Sequence, residues 1–347
     1  MSGVRIRRVI PKPQNLPPPL SCQGIQGKWA GLPGHKLTPD TLGSTIDQQS
    51  ADSGKVPQDG LTMKILSPAK INLFLHIRGK RPDGYHELFS LMCRITLFDE
   101  LSLQIGRGKT IEIHCSHPDV PADDTNLAHR AACLFQSKLD SAQGVKIHLE
   151  KNIPVGAGLG GGSSNAASVL MALNTYYGRP FSREQLMELG LTLGADVPFF
   201  IFQKPAIARG IGEKLEAFEA ALPYHILLLY HGFNVSTAET YQNLKFGLTN
   251  DQKKPTSNNL KRFSFNPAYH LTNDLERVTI PKYPEIGLAK EKLLNLGAIG
   301  ALMSGSGPAV FGLFDNAETA KSARQSLTAD KDLQLFLVEP IPEADWI

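Results

Sequence analysis

PVGAGLGGGSSN, residues 154–165, is the stretch from which the rest of the chain is read. Its glycines at 156, 158, 160, 161 and 162 leave a run of backbone amides with almost no side chains in front of them, free to take positive φ angles. Ser163, Ser164 and Asn165 are helix N-cap residue types, and AASVLMALNTYY then carries apolar residues at 166, 169, 170 and 173 before Gly178. A bare loop that runs into a helix N-terminus aims its amides at one place, where the N–H groups and the helix dipole both favour an anion. The expected ligand is a phosphate.

Two familiar glycine motifs fit less well. Residues 156–161 match G-x-G-x-x-G, but Pro154 interrupts the strand that should lead into a dinucleotide fingerprint, and Glu184 falls in a helical pattern rather than at the end of a second strand. No lysine follows the glycines, so the G-K-[ST] of a P-loop is absent. A plain flexible linker is disfavoured by the helix that begins at once.

Outward from the loop, the 347 residues, 41% hydrophobic, suffice for two cores of ordinary size. A net charge of +3 with 20% charged residues, and no basic run interleaved with aromatics, points away from nucleic acid and towards small molecules. Cys22, Cys93, Cys115 and Cys133 are scattered and never form C-x-x-C, as expected of reduced thiols in a cytoplasmic protein. His114, Cys115 and His117 lie close together without a second ligand pair, so no metal site is assigned there. No apolar run reaches the length of a membrane span.

Residues 1–62 are rich in Pro, Gly, Ser and Gln and carry Arg5, Arg7, Arg8, Lys12, Lys28 and Lys36 before the first acidic residue, Asp40. They read as a disordered leader, with a targeting peptide or an upstream start as alternatives. From Met63 the pattern is β. In AKINLFLHI, Ile71, Leu73, Leu75 and Ile77 are expected on one face and Lys70, Asn72, Phe74 and His76 on the other. A turn at 81–84 leads through Tyr85, His86 and Glu87 into a long strand to Leu103. Strands near 109–115 and 144–150 flank a helix near 126–139. Ser182 to Gln185 is a capping box for a further helix that ends at Gly194. ADVPFFIF then reads as a change to an apolar strand, with Val197 held extended before Pro198 and Asp196 at the junction. By itself Asp196 is equally a solvated turn residue or a functional one.

A second domain is expected from Pro223, so that the chain divides as 1–62, 63–222 and 223–347. Its first strand is HILLLY, followed by a helix at 285–296, a strand at 298–303, the loop SGSGP at 304–308, a strand at 309–314, a helix at 316–327 and a strand at 333–338. That order suits an antiparallel sheet covered by two helices, in the ferredoxin-like manner. SGSGP reads either as a hairpin connection or as a second glycine loop facing the first.

Taken together, PAKINLFL (68–75), RPDGYHEL (81–88), PVGAGLGGGSSN, LGADVPFF (193–200), ARGIGE (208–213) and MSGSGPAVFG (303–312) resemble the GHMP kinase superfamily over about residues 63–340. PAKINL, DGYHEL and GADVPFF narrow the likeness to the branch that acts on a cytidyl diphosphate sugar-alcohol in non-mevalonate isoprenoid synthesis. The resemblance implies an α+β fold of two domains, an N-terminal domain like the second domain of ribosomal protein S5 and a ferredoxin-like C-terminal domain. It implies ATP with Mg²⁺ and phosphorylation of a C2 hydroxyl. The ATP phosphates would lie on Pro154, Val155, Gly156, Ala157, Gly158, Leu159, Gly160, Gly161, Gly162, Ser163 and Ser164. Asp196 would take the hydroxyl proton, and Lys70 would pair with it and polarise the attacking oxygen. Tyr85 would stack on the cytosine, His86 would bond its edge, and Asn72 would lie near the diphosphate.

No acidic metal ligand stands out, and Ser163 or Ser164 is the only suggestion from the loop. The expected partner is a small molecule, with no nucleic acid and no membrane, for a monomer or weak homodimer. The polar stretch 246–269 matches no family motif. The rival readings are a homoserine or mevalonate type of kinase from the same superfamily and an inactive nucleotide-binding module.

Overall fold

The computed structural model describes residues 61–139, 143–244 and 265–342. The expected leader therefore lies outside them, except that Leu61 and Thr62 already belong to the first strand. Residues 246–264 of the polar stretch lie outside them as well.

The chain opens with β1 (Leu61–Lys80), β2 (His86–Gly106), β3 (Ile111–Cys115), α1 (Leu127–Gln136) and β4 (Gly144–Glu150). After the glycine-rich loop come α2 (Gly161–Tyr176), α3 (Arg183–Leu191), α4 (Val197–Phe202), β5 (Ala206–Gly210) and β6 (Lys214–Ala217). The remainder holds β7 (His225–Tyr230), α5 (Thr237–Gln242), α6 (Pro267–His270), α7 (Glu276–Lys282), α8 (Pro284–Asn295), β8 (Gly300–Met303), β9 (Val310–Phe314), α9 (Ala317–Leu327), β10 (Gln334–Val338) and β11 (Pro340–Ile341). Among the described residues the first sheet runs β3-β4-β2-β5-β6, with β1 and β11 also on β2, and the second runs β10-β7-β9-β8. The second order, with α8 and α9 as its crossovers, is the ferredoxin-like arrangement expected from the sequence.

Three apolar clusters hold these layers together. One lies between β2–β4 and α1–α4, and includes Leu101, Leu103, Ile147, Phe135, Leu170 and Phe199. A second lies between the two sheets, where Ile71, Leu91 and Ile95 meet Ile226, Leu228 and Phe311. The third covers the outer face of the second sheet with Leu227, Leu229, Val310, Ile286 and Leu293. HILLLY is continuously apolar because its alternate residues feed two different cores, as expected of a strand buried on both faces.

Two local expectations are corrected. β1 and β2 pair antiparallel over almost their whole length, but the register slips between Asn72 and Phe74. That bulge places Phe74 in the same core cluster as Ile71 and Leu73 and sends Leu75 into another, so the strict alternation expected for 69–77 fails at its midpoint. VPFFIF is a helix, α4, rather than a strand, with Pro198 in its first turn. Proline has no N–H to lose at that position, and an aperiodic buried run fits either element. Tertiary packing decides, because α4 sits against Gly190 of α3, where a Cβ would stand 2.7 Å from the Val197 side chain and 2.9 Å from that of Ile201.

Candidate active site

The loop at 154–160 is built as the sequence suggests, but its glycines serve different ends. Gly158 has φ +79°, and a Cβ there would stand 2.1 Å from the carbonyl oxygen of Ser304, so this glycine lets the SGSGP loop close onto the first loop. Gly160 has φ +72° and is the N-cap of α2; a Cβ on it would press on Phe200 and on the Lys70 stem at 3.0 and 3.1 Å. Gly162 is exposed, and a Cβ there would meet only Leu127 at 3.5 Å. It is in the first turn of α2, where backbone N–H groups have no carbonyl partner within the helix.

The serines and Asn165 are not the caps expected of them, because the helix starts before them. Ser163 lines the cleft, whereas Ser164 is fully buried with its hydroxyl 3.2 Å from that of Ser67 and its N–H given to the Gly160 carbonyl. Ser164 thus does not line the cleft, against the expectation that it would face the phosphates. Asn165 is buried as well and donates to Asp99 at 2.9 Å. From Ser164 to Asn174 every residue of α2 is buried, so the helix is enclosed on all sides rather than amphipathic.

Lys70 reaches this loop through its own backbone, whose N–H donates to the Leu159 carbonyl at 2.9 Å. The residue is 4% exposed, and Nζ donates to Asn72 Oδ1 at 2.6 Å and lies 3.5 Å from Asp196 Oδ2. Asn72 is fixed in turn by donating to Ser90 Oγ at 2.8 Å, and Ser90 donates to the Phe74 carbonyl at 2.6 Å. Asp196 takes the N-cap position of α4 without a side-chain cap bond, and its carboxylate is 36% exposed. The carboxylate is therefore left for the cleft and the ammonium, and is not used up on its own helix.

Lys70, Asn72, Asp196, Gly156–Ser163, Tyr85 and His86 line one cleft of about 970 Å³. Pro154 and Val155 complete the loop's share of it, with Ala157 and Leu159 facing inward to the core at 1% exposure. Tyr85 is 59% exposed at the β1–β2 turn, its N–H bonded to Asp83 Oδ1 at 3.1 Å and its carbonyl to the Arg81 N–H at 2.7 Å. His86 packs on Tyr241, with ring centroids 5.2 Å apart. Burial, with the Lys80 charge adding to it, lowers the His86 pKa and favours the neutral ring. Burial also raises the Tyr241 pKa, and the Asp196 charge pushes the same way.

Two contributors to the site escaped the reading of the sequence. Tyr241 of α5 stands in a polar segment with no motif around it. The buried Asp99 accepts from the Asn152 and Ile153 N–H groups, both at 2.8 Å, and from Lys151 Nζ, which anchors the approach to the glycine loop. In the sequence Asp99 is one acidic residue near a turn of a long strand. The SGSGP loop fulfils both of its readings: it joins the antiparallel pair β8 and β9, and it faces the first glycine loop, where Ser304 Oγ donates to the Gly158 carbonyl at 3.1 Å and the Ala309 N–H to the Ala157 carbonyl at 3.2 Å.

Comparison with known proteins gives the family. Residues 126–204 match the model of the GHMP kinases N-terminal domain and residues 258–332 that of the GHMP kinases C-terminal domain. A 4-diphosphocytidyl-2-C-methyl-D-erythritol kinase of Syntrophotalea carbinolica is 47% identical over 279 residues, 80% of this chain and 98% of the relative. A crystal structure of 4-(cytidine 5'-diphospho)-2C-methyl-D-erythritol kinase superposes with a TM-score of 0.64 at 36% identity, covering 80% of this chain and 99% of that one. A homoserine kinase from Cytophaga hutchinsonii reaches a TM-score of 0.63 at 17% identity, covering 86% of this chain and 98% of its own, and shares the fold alone. With a relative of this identity covered almost end to end and both domain models matched, the chain belongs to the 4-diphosphocytidyl-2-C-methyl-D-erythritol kinase family of the GHMP kinases.

Proposed function

We propose that this chain transfers the γ-phosphoryl group of ATP to the C2 hydroxyl of 4-diphosphocytidyl-2-C-methyl-D-erythritol, giving the 2-phosphate and ADP. The observation that carries the reading is the Lys70–Asp196 pair, 3.5 Å apart, in one cleft with the open N-terminus of α2 and with Tyr85 and His86. The amides of Gly161, Gly162 and Ser163 receive the phosphates. The acceptor oxygen attacks the γ-phosphorus, the bond to the β-bridging oxygen breaks, and the hydroxyl proton passes to Asp196. Lys70, held by Asn72, bears on the attacking oxygen and the transferred group. Phosphoryl transfer asks little more of a protein than such positioning and charge neutralisation. The cytosine lies at Tyr85, with Tyr241 backing His86 so that the imidazole edge meets the base.

Mg²⁺ is the expected companion of the nucleotide. Among the described residues no three His, Cys, Asp or Glu side chains converge. The residues present fit an ion carried mainly on phosphate oxygens, which needs one or two protein oxygens. Ser163 Oγ, which lines the cleft, would supply one. When bound, the ion neutralises charge on the β- and γ-phosphates.

We also retain the division at 222/223, which falls between β6 and β7, and a monomer or weak homodimer acting on a small molecule without nucleic acid. Among the described residues no helix is long and apolar enough to cross a membrane. The deciding experiment is ATP turnover with the cytidyl substrate measured beside homoserine and mevalonate. The proposal expects turnover with the first alone, and equal or greater turnover with either of the others overturns it.

A further inference from the structure

Asn273 lies outside the cleft and is 5% exposed. It belongs to a short segment between α6 and α7 that is stapled to β1. The Leu75 N–H donates to the Thr272 carbonyl at 2.8 Å, the Asp274 N–H to the Leu75 carbonyl at 2.9 Å, and the Ile77 N–H to Asp274 Oδ2 at 2.8 Å. β1 is the strand that carries Lys70 and Asn72. From this anchorage the Asn273 amide gives both of its hydrogens to the second glycine loop, at 2.9 Å to the Met303 carbonyl and 2.7 Å to the Gly305 carbonyl. Its Oδ1 accepts the Leu275 N–H at 3.0 Å, so both donors and the acceptor oxygen of the side chain are engaged on backbone.

The loop so held is the one that meets the phosphate loop. Ser304 touches Gly158 through a hydrogen bond and through a close backbone approach that only glycine allows. Ser306 Oγ lies 2.8 Å from Thr237 Oγ1 at the start of α5, the helix that carries Tyr241. One amide thus links the strand of the acceptor groups, the loop of the nucleotide and the helix behind the base. Groups that hold a reacting constellation to a fraction of an ångström act on the rate more than on binding, because small misplacements spoil alignment before they spoil contact.

We infer that Asn273 is a positioning residue that sets the second glycine loop against the first, and so the nucleotide against the acceptor hydroxyl. The inference rests on the kinase reading above.

The test compares the full-length wild type with Asn273→Ala, with Asn273→Ser as a milder companion, and with Asn174→Ala as a control. Asn174 is a buried asparagine of the same kind, bonded twice to the Phe181 backbone at 3.0 Å and remote from the cleft. Both Asn273 variants should lose about tenfold or more in kcat per folded molecule while the Michaelis constants for ATP and acceptor each stay within about twofold; counting folded enzyme alone removes the fall in apparent kcat that partial unfolding would give. Asn174→Ala should lower the Tm by a similar amount and keep kcat per folded molecule. Amide hydrogen exchange should quicken at 304–307 and also at 156–160 in the Asn273 variants and in neither place in the control. A kcat near wild type, or a rise confined to one Michaelis constant, overturns the role in alignment. Unchanged exchange at 156–160 overturns it even if the wild type proves to use another acceptor, since that measurement needs no turnover.

Discussion

At the scale of single residues, the proposed chemistry turns on Lys70 and Asp196. Asp196→Asn keeps the shape and removes the basicity, so it should bind both substrates and transfer phosphate at least about a hundredfold more slowly, as expected for a lost general base. Lys70→Met should also depress kcat, and the double variant should be little worse than the poorer single one, because two groups that serve one proton transfer act as a unit. Steady-state kinetics on the three variants decide this. Losses that multiply would assign the two residues separate tasks, and near-normal turnover in Asp196→Asn would make Asp196 a helix-end residue only. The pair was legible as residue types in PAKINL and LGADVPFF. Its stability as a pair was not, because the bonds that hold Lys70 run through Asn72 and Ser90, and Ser90 is 20 residues further along the chain on another strand.

At the scale of elements, the N-terminus of α2 and the β1–β2 turn carry the two recognition tasks in this proposal. Gly162→Val puts a branched side chain over the open amides at a position whose φ is not left-handed and whose Cβ has room, so the fold should survive. The Michaelis constant for ATP should rise about tenfold or more, with that for the acceptor unchanged, because phosphate contact with the amides is what the side chain blocks. Gly160 would be a poor choice for the same test, since a side chain there disturbs Lys70 and Phe200 as well as any phosphate.

The β1–β2 turn gives a pH signature. Burial of His86, with Lys80 adding to it, lowers the imidazole pKa, so the ring stays neutral while pH falls through the ordinary histidine range and gains a proton only below it. The acceptor Michaelis constant should therefore stay level through that range and climb below it. His86→Gln, which keeps a donor and an acceptor but does not titrate, should abolish the climb, and a climb that persists would move the titration to another group. The turn and both its aromatic residues could be read from RPDGYHEL, because a β-turn is specified by four adjacent residues. Tyr241 could not, because only the packing of α5 brings it to His86.

At the scale of the whole molecule, the sequence by itself determined the bare, glycine-rich backbone of 154–162, the capped helix at 182, the order of the four strands and two long helices of the second sheet and the resemblance that names the family. Each of these is encoded within a few neighbouring residues, by glycine, by a cap or by a periodic apolar pattern, and so is written locally. What only the tertiary structure decided is carried by residues far apart in the chain. Ser164 turns away from the cleft because Ser67, 97 residues earlier, meets it in the core. VPFFIF becomes a helix because Gly190 leaves room for it. The alternation of β1 breaks at Asn72 and Phe74 because that strand must face two cores. The two glycine loops join because Asn273, stapled to β1, reaches the carbonyls of Met303 and Gly305. In each case the free energy comes from burial and from satisfying buried polar groups, and those depend on which surfaces meet and not on which residues adjoin.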